Sequence, residues 1–224
     1  MKIKLATRQS ELALFQANYV MNKIQTQHAE VEVELVPMTS EGDQTEKPLH
    51  EIGGKGLFVT KLESALESGE ADIAVHSLKD VPAKIDMKYS IAAIFEREDP
   101  SDVLLSRNGS SLTDFSSNAS IGTSSPRRKA QILRARADLN IIPVRGNIAT
   151  RIRKLHEGHF DGLIVAKAAL NRLNIELTNA YEFSMQEMLP AASQGFIGVE
   201  CLKSNEEIIS IMSSINNSSE MALA

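Results

Sequence analysis

The sequence predicts an α/β protein of two similar domains, each a mixed, mostly parallel sheet, with a cleft between them. Short apolar runs alternate with amphipathic stretches along the chain, as strands and helices do in turn. Two segments repeat one scheme: Leu5-Ala6-Thr7-Arg8-Gln9-Ser10 and Ile121-Gly122-Thr123-Ser124-Ser125 each run from a strand through threonine into a hydroxyl-rich helix start. Two breaks, the charged Glu96-Arg97-Glu98-Asp99-Pro100 and the run Leu189-Pro190-Ala191-Ala192-Ser193-Gln194-Gly195, suit chain crossings between domains. The boundaries that follow are 1–97 with 196–217 for the first domain, 98–195 for the second, and 218–224 as a short stub. Facing domains would bring both helix starts toward one ligand.

The elements follow from local pattern. Residues 2–6 read as a strand, and Ser10 can cap a helix whose apolar face is Leu12, Phe15, Tyr19, Val20 and Ile24. Residues 31–35 alternate cleanly, as a strand with one wet face should. A polar stretch over 39–50 closes on Gly53-Gly54-Lys55-Gly56, a loop able to fold over a ligand or simply to cover the surface. Helix returns over 58–66 and stops near Gly69. The apolar run 72–77 has the form of a buried parallel strand and delivers Leu78-Lys79-Asp80-Val81-Pro82 at its carboxyl end. Residues 90–95, 103–105, 121, 139–144, 163–166 and 197–201 supply further strands. Helices are expected from Pro126, from Asn147 through Ile148, Ile152 and Leu155 to Gly158, and from near Ser204 with Glu207 in capping-box register.

Composition narrows the function classes. The 224 residues are 42% hydrophobic and 24% charged, the balance of a globular protein. The sequence has no run of about 18 apolar residues, which argues against a membrane span. The first residues carry no apolar signal core, so the expected location is the cytoplasm. Cys201 is the only cysteine, which excludes an internal disulfide and agrees with a reducing compartment.

The net charge of −5 argues against a general polyanion binder, yet the cations are concentrated. Between 126 and 155 lie Arg127, Arg128, Lys129, Arg134, Arg136, Arg145, Arg151, Arg153 and Lys154, opposed within that segment by Asp138 alone. An acidic protein that gathers its cations in one segment is expected to bind an anion there. Gly122-Thr123-Ser124-Ser125-Pro126-Arg127-Arg128 is the sharpest part of it. Ser124 or Ser125 can cap the helix, Pro126 fits its first turn, and the free N–H groups then stand beside two guanidinium forks. The plain alternative is an ordinary surface helix start. Lys79 and Asp80 occupy the carboxyl end of a strand, where open α/β sheets bind ligands, and their plain alternative is a surface ion pair at a turn. His76, His156 and His159 show no metal-ligand spacing, and no metal is expected.

Several of these segments resemble porphobilinogen deaminase (hydroxymethylbilane synthase). They are Ala6-Thr7-Arg8-Gln9-Ser10, Gly53-Gly54-Lys55-Gly56-Leu57-Phe58, His76-Ser77-Leu78-Lys79-Asp80-Val81-Pro82 and Glu96-Arg97-Glu98-Asp99-Pro100. Gly122 through Arg128, Arg145-Gly146-Asn147, Leu189-Pro190-Ala191 and Gln194-Gly195 complete the set, in the family's order from first strand to last helix.

The resemblance implies a periplasmic-binding-protein-like pair of domains and a head-to-tail condensation of four porphobilinogen units with release of ammonia, a transferase step of haem biosynthesis. It implies a dipyrromethane cofactor joined to a cysteine. It makes Asp80 the catalytic carboxylate, facing the Gly122–Arg128 stretch across the cleft. It assigns cofactor and substrate carboxylates to Arg8, Lys55, Lys79, Ser124, Ser125, Arg127, Arg128, Arg145 and Arg151. Guanidinium suits this work because it grips carboxylates bidentately. The family's third domain carries the cofactor cysteine, and residues 218–224 fall about where that domain would begin. Cys201 does not match the attachment residue, so this chain is expected to lack the anchor and to turn over weakly or not at all. The expected partner is the small molecule porphobilinogen, bound by a monomer without nucleic acid or membrane. The alternative is a non-catalytic binding module for pyrrole carboxylates or small anions. Nucleic-acid binding through 127–136 and 151–154 is disfavoured by the overall acidity and the lack of interleaved aromatics.

Overall fold

A computed structural model of the protein describes residues 1–39, 59–107, 109–176 and 180–224. The chain divides into two compact units, unit 1 over 1–98 with 195–224 and unit 2 over 99–194. Unit 1 opens with β1 (Lys2–Arg8), α1 (Glu11–Gln27), β2 (Glu32–Met38), α2 (Thr60–Ser68), β3 (Ile73–Ser77) and β4 (Tyr89–Ile94). Unit 2 follows with β5 (Asp102–Ser106), β6 (Ser120–Gly122), α3 (Pro126–Ala135), β7 (Asn140–Ile142) and α4 (Ile148–His156), then β8 (Gly162–Ala166), α5 (Lys167–Arg172) and β9 (Ala180–Glu182). The chain then re-enters unit 1 as β10 (Ile197–Leu202), α6 (Glu206–Ile215) and α7 (Ser218–Met221).

The two sheets have one topology. Their strand orders are β2-β1-β3-β10-β4 and β7-β6-β8-β5-β9. In the first, β10 is antiparallel to both β3 and β4, so it alone runs against the other four. In the second, β5 is the reversed strand, antiparallel to β8 and β9. Each reversed strand is the first one entered after the chain passes from one unit to the other. The repeated sequence scheme therefore corresponds to equivalent strands, β1 and β6. The threonine at the carboxyl end of each strand, Thr7 one residue before the end of β1 and Thr123 one residue past β6, is buried: Thr7 donates its hydroxyl to the Ala13 carbonyl, and the Thr123 hydroxyl accepts from the Ser125 N–H.

Strand period sorts each core into two layers. In unit 1, Ile3, Leu5, Ile73 and Val75 face α1 and α6, whereas Ala6 and Ala74 on the other face pack under Leu62, Ala65 and Leu66 of α2. In unit 2, Val103, Leu105, Leu163 and Val165 pack against α4 and α5, while Leu104, Ile121 and Ile164 pack against Ile132 of α3.

Two local expectations are corrected. The buried face of α1 is Ala13, Gln16, Ala17, Val20 and Ile24, and Phe15 is 39% exposed. Alanines at two of these positions let the helix lie close to the strands, and Gln16 is satisfied by Ser77 at 2.8 Å. The cap of α6 is Asn205, whose side chain accepts from the Ile208 N–H, one residue later than Ser204. Residues 218–221 form a short helix capped by Asn217, and Met221 packs on Leu78, Ile94 and Phe196.

Candidate functional site

In unit 1 the predicted residues collect at the carboxyl edge of the sheet. β1 and β3 are parallel neighbours with Leu5 opposite Ile73 and Ala6 opposite Ala74. Arg8 ends β1, and β3 runs straight into a tight 3-10 turn, Leu78–Asp80. Leu78 is buried and anchors this turn, leaving Lys79 and Asp80 half-buried at its head. The hydrogen bonds from Gln16 Nε2 to Ser77 Oγ and from the Leu78 N–H to the Phe196 carbonyl fix the strand end that carries them. Lys55 lies outside the described residues, as does the glycine run around it.

In unit 2 the same edge holds the cationic segment. β6 and β7 are parallel, with Gly122 opposite Ile142, so the turns after both strands emerge side by side. Ser124 ties them together, donating to the Val144 carbonyl at 2.7 Å and accepting from the Val144 N–H at 2.9 Å. Ser125 is the cap of α3, accepting from the Arg128 N–H, with Pro126 in the first turn. Asn147 caps α4 by accepting from the Thr150 N–H at 2.8 Å. Arg151, one turn on, folds back so that its Nε donates to the Gly146 carbonyl at 2.7 Å. Arg151 is thereby brought beside the turn that carries Arg145.

Arg127 and Arg128, which the sequence expectation assigned to ligand carboxylates, also have a partner within the protein that it did not include. Their guanidinium groups converge on a protein carboxylate, Asp102 at the start of β5. Arg127 Nη2 donates to Oδ2 and Arg128 Nη2 to Oδ1, each at 2.7 Å. Gln194 Nε2 adds a third donor to Oδ1 at 2.8 Å. Arg128 also donates to the Ile164 carbonyl at 2.9 Å, and Arg127 to that of Leu189. Asp102 is fully buried, Arg128 nearly so, and Arg127 keeps about a quarter of its side chain exposed. Burial pushes the Asp102 carboxyl up, but the Arg128 and Arg127 charges and hydrogen bonds outweigh it and hold the group below the usual aspartate range. Two positive charges against one negative leave a surplus positive charge here.

Asp102 has no place in the sequence expectation, and Gln194 enters it only within a chain crossing and a motif, with no role at the site. An aspartate opening the apolar run Asp102-Val103-Leu104-Leu105 was the available signal, since a charge at the head of a buried strand needs a partner.

Cys201 is buried in β10, and burial pushes its thiol up to about 11, with Glu200 adding to the shift. Such a thiol is a poor nucleophile at neutral pH. Among the described residues, no helix is long and apolar enough to cross a membrane.

The fold is that of two-domain ligand-binding proteins. The chain is similar to the periplasmic VFT2 domain of Bordetella pertussis BvgS, with a TM-score of 0.56 at 12% identity, covering 96% of this chain and 86% of that one. It is likewise similar to an ancestral arginine-binding protein bound to arginine, with a TM-score of 0.53 at 14% identity, covering 99% and 92%. At these identities the likeness concerns the fold alone.

Sequence similarity goes further. The family model for the dipyrromethane cofactor-binding domain of porphobilinogen deaminase matches residues 3–210. Porphobilinogen deaminase of Lawsonia intracellularis is 46% identical over 217 residues, spanning 96% of this chain and 70% of that protein. That of Campylobacter hominis is 48% identical over 219 residues, with the same shares. A match of this extent, in a chain that carries the family's motifs on the carboxyl edges of two sheets of one topology, places it: the chain belongs to the porphobilinogen deaminase family.

Proposed function

We propose that this chain is the cofactor- and substrate-binding body of a hydroxymethylbilane synthase, which joins four porphobilinogen units head to tail with release of ammonia. The observation that carries the reading is the seating of Lys79 and Asp80 on a 3-10 turn at the carboxyl end of β3, with Arg8 ending the neighbouring strand. Porphobilinogen carries an acetate and a propionate, so each added unit brings two carboxylates. The arginines fit such a ligand in number and chemistry.

A dipyrromethane also fits the donor set: a surplus positive charge at Asp102, and a helix start and turns that bring Ser125, Arg127, Arg145 and Arg151 to one sheet edge. Arg127, Arg145 and Arg151 would hold its carboxylates, with Arg128 behind them and Ser124 and Ser125 shaping the turn. When bound, it supplies the free pyrrole carbon at which chain growth starts. Asp80 would accept a hydrogen bond from the pyrrole N–H of the reacting unit. A fixed carboxylate there stabilises the positive charge that develops as ammonia leaves. The same carboxylate can take part in proton transfer at the amine and at the newly substituted carbon. Arg8 and Lys79 would hold the carboxylates of the incoming unit. The reading has the chain act as a monomer in the cytoplasm on this small molecule.

The test is incubation with porphobilinogen, followed by acid quenching and oxidation, with porphyrin absorbance as the readout. A weak yield of product from the parent and none above background from Asp80→Ala, with the variant's melting temperature kept, is the expected result. Porphobilinogen bound but never consumed by the parent would instead make the chain a binding module.

A further inference from the structure

Arg127 and Arg128 take positions that cost them hydrogen bonds. The Nε atoms of both are buried and have no partner among the described residues. A buried donor left unpaired is destabilising, because it has lost its water partner and gained none. Both side chains therefore sit where Asp102 holds them, and their own hydrogen bonding is incompletely satisfied there. A guanidinium has five N–H donors. On Arg127, Asp102 and the Leu189 carbonyl take one from each terminal nitrogen, and part of the side chain remains open to solvent. Arg128 spends its terminal nitrogens on Asp102 and the Ile164 carbonyl and is nearly sealed.

We infer that Asp102 is a positioning residue: it never meets the ligand, but it fixes Arg128 behind and Arg127 in front, so that the open edge of Arg127 meets a ligand carboxylate already oriented. The inference rests on the proposed reading of this edge as the cofactor- and substrate-binding site. Gln194 completes the arrangement. By donating 2.8 Å to Oδ1 and 2.6 Å to the Pro100 carbonyl, it holds the carboxylate's own orientation. A carboxylate is needed because all three neighbours of its oxygens are donors. The amide nitrogen of an asparagine would turn a donor toward one of them and release it.

Asp102→Asn separates positioning from simple charge balance, since the two predict opposite signs. If Asp102 only neutralised charge, its removal would add to the positive surplus and tighten binding of an anion. As a positioning residue, its removal weakens binding. The experiment is an NMR titration of the parent and Asp102→Asn chains with porphobilinogen, following Arg127. The expected result is binding by the parent and a loss of roughly 10-fold or more in affinity in the variant. In the parent, the Arg127 terminal N–H signals should be resolved before ligand is added, as for a guanidinium that does not rotate freely, and should shift on binding.

Equal or tighter binding by a folded Asp102→Asn chain overturns the positioning role while leaving the site intact. Should the variant not fold, the parent decides alone, and averaged Arg127 signals before ligand overturn the inference. A parent that binds no porphobilinogen overturns the reading of the site itself, and the inference with it.

Discussion

His76 Nε2 lies 3.0 Å from Glu200 Oε2 inside the first sheet, and both side chains are sealed from solvent. β3 and β10 are antiparallel here with Glu200 opposite Ala74, and on its other side β10 shifts register against β4 between Val199 and Glu200. The second carboxylate oxygen, Oε1, has no partner among the described residues. Glu63 of α2 feels this charge: burial first, then Glu200, holds its carboxyl above the ordinary range. The pair is therefore asymmetric. His76→Leu should cost about 3 kcal/mol, because it strands a buried carboxylate with nothing to hold it. Glu200→Gln keeps an acceptor for the ring and removes the charge, and should cost no more than about 1 kcal/mol. Urea unfolding of the two variants checks the order.

Gly195 is locked against substitution by its own unit. Its φ is +98°, and an added Cβ would stand 2.2 Å from the Glu98 carbonyl oxygen. Gly69 has a comparable φ of +72° with open space around it. Gly69→Ala should cost about 1 kcal/mol, the price of the backbone conformation alone. Gly195→Ala adds a clash with backbone and should cost at least about 3 kcal/mol, which thermal melting of the two variants would separate.

Asp102 gives unit 2 an acid-sensitive lock. Burial raises its pKa, but Arg128 and Arg127 reverse the balance, so the folded value lies below the unfolded one. A depressed carboxylate stabilises the fold above the unfolded pKa and loses that contribution as pH falls through the folded one. Stability from this source is thus complete above about pH 5 and declines below about pH 4. Asp102→Asn should be less stable than the parent at neutral pH, and the gap should narrow in acid. Urea midpoints of both proteins from pH 7 downward measure it.

Ser124 and Ser125 do different work although they are neighbours. Ser125→Ala removes the cap of α3 and should cost about 1 kcal/mol, whereas Ser125→Gly should cost only a few tenths. Ser124→Ala strips both hydrogen bonds from the Val144 backbone and should cost about 1–2 kcal/mol, with no loss of α3 capping. Equilibrium unfolding of the three variants distinguishes these roles.

Much of this architecture follows from local chemistry. The caps at Ser10, Ser125 and Asn147 and the stop at Gly69 depend on residues within one turn, as do the apolar strands β3, β8 and β10. The repeated strand-threonine-hydroxyl scheme marks equivalent strands for the same reason, since a turn from strand into helix is a local event. The short β9 and α5 are less apparent, because their stability comes from the β5 and β8 strands they pack on.

Local pattern is enough for the family, the alternation of strand and helix, the carboxyl-end placement of Asp80, and the concentration of arginines between 126 and 155. These depend on neighbours a few residues apart. Long-range packing sets which way α1 turns its face, that β5 and β10 run against their sheets, and that Arg127 and Arg128 close on Asp102. The last joins residues 25 and 26 positions apart, and Gln194 reaches the same carboxylate across 92. A charge in a strand declares only that it must be paired. Which donors pair it is settled by the strand order that brings distant segments together, and that order is a property of the packed sheet.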